Sequence, residues 1–175
     1  MKERTIPLLP LVLTAAIIAV DQATKAIIVR TIPLNTRGLS ALNDFLRIIH
    51  VRNLGVAFSL GNGLPESVRR IVFIIVPGLV MIGVLIYYVR AKELTMGMRW
   101  ALAGILGGGL GNLVDRIFRP LGVVDFVHVR VYGFLGMERW PVFNVSDSSI
   151  VVSGILLVIL FVVQEQNVRK ESIRE

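Results

Sequence analysis

Asp115, Asp125 and Asp147 fall within one stretch, Gly107 to Ser149, that is flanked by strongly apolar runs. Carboxylates are costly near a bilayer, so their presence there requires a partner or a function. Hydrolysing a peptide bond needs a base for water and an acid for the carbonyl oxygen or the leaving amine. Two carboxyls within hydrogen-bonding reach share one proton, because both do not readily ionise together, and such a pair supplies both roles. Asp125 and Asp147 suit that chemistry as a unit, with no fixed protonation assigned to either. Asn112, Arg116 and Asn144 lie in the same stretch. Their amide and guanidinium groups are suited to orienting carboxylates or holding a substrate backbone.

Each of these residues also has a plainer reading. Asn144, Ser146 and Asp147 stand where an apolar run begins, and all three are good N-cap types. Asn112, Asp115 and Arg116 are spaced i, i+3 and i+4 along a helix. A neutralised Asp115–Arg116 couple at a helix end and a part in the site are equally open. Asn53, in Arg52-Asn53-Leu54-Gly55, is of a type that tolerates a left-handed turn, so turn formation competes with function there.

Several other hydrolytic chemistries lack their residues, which leaves the carboxylates as the strongest candidates. There is no cysteine and there are only two histidines, His50 and His128. That excludes a thiol nucleophile, a thiolate metal site and a three-histidine zinc centre. HExxH and GxSxG are absent from the 175 residues. No metal and no cofactor are expected.

The elements that must position these groups are written in the hydropathy. The chain is 54% hydrophobic, with a mean hydropathy of +0.73. That is well above a water-soluble domain. Four apolar runs, at about 8–29, 71–89, 98–117 and 145–163, are each long enough to span a bilayer. The expected architecture is an α-helical integral membrane protein forming one domain over residues 1–175. It has four transmembrane helices, a small extracytoplasmic β-sheet and an interfacial loop.

The first run has the flanks of a signal peptide but no small-x-small cleavage site, so it is expected to be retained. Inside it Asp21 and Lys25 are spaced i,i+4, acid before base, and read as a structural ion pair facing the other helices. Pro77 and Gly78 predict a kink in the second run. Overlapping Gly-x-x-x-Gly spacings at Gly104, Gly107, Gly108 and Gly111 predict close helix approach in the third.

Between the runs, 45–51 and 56–60 read as two short strands around the Gly55 turn, with His50 half-exposed. Residues 123–131 alternate in period two and read as a strand opening on Asp125. Residues 132–141 form an apolar, aromatic loop suited to headgroups.

The net charge of +7 is clustered between apolar runs. It suits membrane lipids rather than nucleic acid. Lys and Arg are densest in the tails and the short 90–99 loop, which places both termini in the cytoplasm and Asp125 and Asp147 near the outer face. A rival class is a small proton- or cation-coupled transporter using Asp21, Asp115, Asp125 and Asp147 as intramembrane carboxylates. No inverted repeat is visible to support it.

Five segments carry a family resemblance. They are VDQATK at 20–25, RNLGVAFS at 52–59, GGGLGNLVDRI at 107–117, VVDF at 123–126 and FNVSDSSI at 143–150. In order and spacing they resemble the lipoprotein signal peptidases (signal peptidase II), membrane aspartic endopeptidases of bacteria. The resemblance implies catalytic roles for Asp125 and Asp147. It places Asn53, Asn112, Arg116 and Asn144 around substrate and dyad, makes Asp21 and Lys25 structural, and leaves Asp115 in support. It further implies a diacylglyceryl-modified prolipoprotein substrate cut just before the lipidated cysteine, in the bacterial cytoplasmic (inner) membrane, by a chain expected to be a monomer.

The chain departs from the family at Ser146-Asp147-Ser148-Ser149, where Ala-Asp-Ser-Ala is usual. The two added hydroxyls are expected to be able to donate to the pair and shift its proton affinity. Residues 65–70 and 169–175 match no family motif.

Overall fold

The computed structural model describes residues 6–55 and 65–174. Four helices dominate it: α1 (Leu11–Thr31), α2 (Glu66–Arg90), α3 (Met96–Phe118) and α4 (Val145–Arg174). Three strands, β1 (Arg37–Ala41), β2 (Leu46–Asn53) and β3 (Val123–Val129), form one antiparallel sheet in the order β1-β2-β3.

The helix ends follow from local chemistry. Ile32 and Arg119 are extended, and each precedes a proline, Pro33 and Pro120. A proline disfavours helical geometry in the residue before it, so α1 and α3 stop there. Thr95 caps α3 by accepting the Met98 N–H at 3.3 Å. Buried Arg99 donates to the carbonyls of Tyr88 at 2.6 Å and Ala91 at 3.3 Å, satisfying the open end of α2 and closing the α2–α3 hairpin. Helix α2 runs through Pro77. Helix α4 extends well beyond the expected 163 as a charged tail.

Among the described residues three helices are long and apolar enough to cross a membrane, over Leu11–Thr31, Ile71–Arg90 and Val145–Glu171. Their leucines, isoleucines and valines lie mostly exposed, as lipid-facing side chains must. Helix α3 is the centre of the bundle, with Ala101, Leu102, Ala103, Leu106 and several glycines buried. Helices α1, α2 and α4 all pack on it, and α1 and α4 also meet each other. The expected close approach occurs. A Cβ on Gly107 would press on Ile17 of α1, and one on Gly108 would run into the Ser146 carbonyl of α4. Thr14 and Ser149 donate to the carbonyls of Ala103 at 2.7 Å and Gly104 at 2.9 Å, stitching α1 and α4 to α3.

The sheet sits at the end of the bundle where α1 and α3 stop. Its underside is an apolar cluster of Ile28, Ile32, Val124 and Phe126. Strands β2 and β3 were expected, although β3 ends at Val129 rather than Val131. Strand β1, short and exposed, was not. The expected strand at 56–60 lies outside the described residues. His50 is buried, not half-exposed. It stands on the middle strand above α1, with Nδ1 at 2.7 Å from the Ile32 carbonyl.

Candidate active site

Asp125 enters the site from β3, on the buried part of that strand. Asp147 enters from the first turn of α4. The residue that joins them is Asn144. Its Nδ2 donates to Asp125 Oδ1 at 2.7 Å. Its Oδ1 accepts the Asp147 N–H at 2.9 Å, and Asp147 Oδ2 accepts the Asn144 N–H at 3.1 Å. The last two bonds form a capping box at the start of α4. Asp147 is therefore part of a helix cap and also faces the site, so the two sequence readings describe one residue.

Each carboxylate has a further amide donor. Asn53 Nδ2 donates to Asp125 Oδ2 at 3.1 Å. Asn112 Nδ2 donates to Asp147 Oδ1 at 2.7 Å, while its Oδ1 accepts from Asn144 at 3.1 Å and from Lys25 Nζ at 2.9 Å. All four carboxylate oxygens are thus oriented before any substrate arrives. Asn53 also accepts the Gly55 N–H at 3.1 Å, so it shapes the turn as well as the site. Burial, followed by the neighbouring charge of Asp147, pushes the Asp125 carboxyl up to about 6. Burial is the larger cause and the like charge of Asp147 the next, and both favour the protonated form of Asp125.

Both aspartates line a cleft of about 1010 Å³. Its walls come from α2 (Val76, Pro77, Val80, Met81), α3 (Gly109, Leu113) and Ile150 of α4, and from the β2 end and the 140–143 segment. Arg116 also lines it, donates to the Gly55 carbonyl at 3.2 Å and lies 5.4 Å from the centroid of Phe73. The 132–141 loop is fastened to the sheet by Arg139, which donates to Asp44 Oδ2 at 2.7 Å and to the Asp44 carbonyl at 2.6 Å. Arg47 and Ser40 on the same carboxylate hold Asp44 well below the usual carboxylate range.

Asp115 does not pair with Arg116. It pairs with Lys25 at 3.1 Å and Arg119 at 3.1 Å. Adjacent helix positions point about 100° apart, so Arg116 faces the cleft while Asp115 faces α1. The Asp21–Lys25 pair forms as expected, at 2.8 Å and fully buried. Ser146 and Ser149 do not reach the dyad. The Ser149 hydroxyl bonds Gly104, and the buried Ser146 hydroxyl has no hydrogen-bond partner among the described residues.

Two contributors were given no role from sequence. Gln22 donates to Asp21, Asp115 and the Gly111 carbonyl at 3.0–3.1 Å. Arg119 stands four residues after Asp115, an i,i+4 spacing that was readable. Among the described residues no group of three or more His, Asp or Glu side chains could hold a metal ion.

The family model for signal peptidase (SPase) II matches residues 13–163. The chain belongs to the signal peptidase II family. It is 42% identical over 170 residues to the lipoprotein signal peptidase of Treponema pallidum (strain Nichols), covering 97% of this chain and 90% of that one. It is 46% identical over 156 residues to the lipoprotein signal peptidase of Treponema denticola, covering 89% and 90%. A solved bacterial membrane enzyme has the same fold, with a TM-score of 0.79 at 25% identity over 95% of both chains. As a signal peptidase II member the chain is an aspartic-type membrane protease, and the transporter reading falls away.

Proposed function

We propose that Asp125 and Asp147 are the catalytic pair with which this signal peptidase II member removes signal peptides from prolipoproteins. The observation that carries the reading is Asn144, which hydrogen-bonds both carboxylates and makes them one unit at the floor of the cleft. Water held between the carboxyls is deprotonated by the ionised one and attacks the scissile carbonyl carbon. The protonated carboxyl gives its proton to the carbonyl oxygen, forming a gem-diol. The pair then returns a proton to the amide nitrogen, takes one from a hydroxyl, and the C–N bond breaks. Asn53, Asn112 and Asn144 hold the carboxyls, and Arg116 binds substrate backbone.

The substrate in this reading is a diacylglyceryl-modified prolipoprotein cut just before the lipidated cysteine. The cleft lies between α2 and α4 with apolar walls, so a lipid-bearing segment reaches it from the bilayer without passing through water. In this reading the chain crosses four times, which keeps both termini on one side. The dense Lys and Arg of the tails and the 90–99 loop make that side the cytoplasm, with the sheet and the pair at the outer face of the bacterial inner membrane. The exposed Tyr132, Phe134 and Leu135 then rest among headgroups. The chain acts as a monomer in membrane lipid.

Purified Asp125→Asn and Asp147→Asn, assayed on a lipidated prolipoprotein, test the assignment. Each variant is expected to stay folded in the membrane and lose cleavage. Substantial turnover by either one rejects the pair.

A further inference from the structure

Lys25 is fully buried, and its ammonium meets three groups. They are Asp21 Oδ2 at 2.8 Å, Asp115 Oδ2 at 3.1 Å and Asn112 Oδ1 at 2.9 Å. Charge neutralisation accounts for the two ion pairs. It does not account for what the two carboxylates hold in addition. Asp21 Oδ1 accepts the N–H of Ser146 at 3.0 Å. Asp115 Oδ2 accepts the N–H of Val124 at 3.0 Å. Ser146 and Val124 are the residues immediately before Asp147 and Asp125.

One ammonium on α1 therefore stands behind the anchored N–H of the residue before each member of the pair, although the two sit on different elements. The third contact acts on orientation. With its Oδ1 turned toward Lys25, the Asn112 amide must present its NH₂ to Asp147, where the bond is 2.7 Å. Gln22 and Arg119 hold the other oxygen of Asp115, Oδ1, at 3.0 and 3.1 Å.

We propose that Lys25 is the positioning residue of the catalytic pair. Through Asp21 and Asp115 it fixes the backbone N–H of the residue before each aspartate, and through Asn112 it aims the donor that holds Asp147. The proposal rests on Asp125 and Asp147 being the pair. Lys25 itself touches no substrate.

Lys25→Met alone leaves a buried carboxylate without its cation and risks unfolding. The informative variant is the double substitution Lys25→Met with Asp21→Asn. It removes one charge of each sign, leaves Asp115 with Arg119, and keeps an oxygen at position 21 for the Ser146 N–H. The expected result is a folded protein with a melting temperature near wild type. KM should stay within about three-fold, and kcat should fall about 10- to 100-fold, the scale set by misplacement of reacting groups by an ångström or less.

Lys25→Arg is the second variant. It keeps the charge but not the single-atom junction, and the same split is expected. A wild-type kcat in whichever variant folds overturns the proposal, because neutralising charge would then be all that Lys25 does. Failure of both to fold also overturns it, by making the junction a requirement of the fold rather than of the pair. Asp125→Asn and Asp147→Asn run alongside keep the two ideas separate. If they are inactive while the double variant turns over normally, only the positioning role fails. If they are active, the pair itself was misassigned.

Discussion

Asn144 and Asp147 hydrogen-bond each other twice, each accepting the other's backbone N–H, at 2.9 and 3.1 Å. The cap that starts α4 is thereby also the bracket that holds a carboxylate in the site. The two duties separate by substitution. Asn144→Ala removes the side-chain cap and the Nδ2 bond to Asp125, leaving only the backbone N–H on Asp147, and should cost about 1–2 kcal/mol in stability together with nearly all activity. Asn144→Ser restores an oxygen for the Asp147 N–H but cannot reach Asp125. Its melting temperature should recover toward wild type while cleavage stays low, as thermal melts and turnover on the same preparation would check.

Asp125 makes stability depend on pH with a definite sign. Its carboxyl lies near 6 in the folded protein against 3.8 for the free group. The folded state therefore binds more protons between those values, and stability falls as pH rises through that window. The size is about 3 kcal/mol, to order of magnitude. Asp125→Asn removes the group. Melting wild type and variant in parallel from pH 4 to pH 7 should show the difference moving in favour of the variant. A constant difference would mean that Asp125 is ionised throughout.

The two serines beside the pair should behave differently from one another. Ser146 is completely buried with an unpartnered hydroxyl, so Ser146→Ala should be neutral or stabilise by about 1 kcal/mol. Ser149 donates to the Gly104 carbonyl, so Ser149→Ala should cost about 1 kcal/mol. Neither should shift the pH–rate profile, since neither hydroxyl touches Asp125 or Asp147. A shifted profile in Ser146→Ala would contradict the geometry.

Gly108 carries the α3–α4 contact beneath the site. A methyl there would collide with the Ser146 carbonyl, which is backbone and has no rotamer to change. Gly108→Ala should cost about 1–3 kcal/mol, and by displacing the start of α4 it should lower kcat sharply. Gly83, with open space around it, is the matched control. Gly83→Ala should leave both stability and turnover near wild type.

Much of this architecture was legible because a bilayer simplifies the reading. Helices α1, α2 and α4 announce themselves by apolar length, and Asp21 with Lys25 by a charge pair at helical spacing. Strand β3 showed its period of two. What sequence could not supply was direction around a helix end. Asp115 and Arg116 are adjacent, yet the first turns to α1 and the second to the cleft, and only the packing of α1 on α3 decides that. His50 misled because the burial of a middle strand depends on what lies under it, here the end of α1. Strand β1 is short, polar and exposed at the sheet edge, so it left no hydrophobic trace. The serines beside Asp147 looked able to tune it, but residues flanking a helical position point away from it.

Asp147 lies in the first turn of α4 and Asn144 caps it, so both follow α1, α3 and β3 in the chain. Until that helix docks on α3, Asp125 lacks the Asn144 amide and has no second carboxyl to share a proton with. If Asp125 and Asp147 are the pair, a chain that extends only through β3 holds one carboxylate of the two. Under the proposed assignment, the order of the elements along the chain leaves the pair unassembled until α4 has docked on α3.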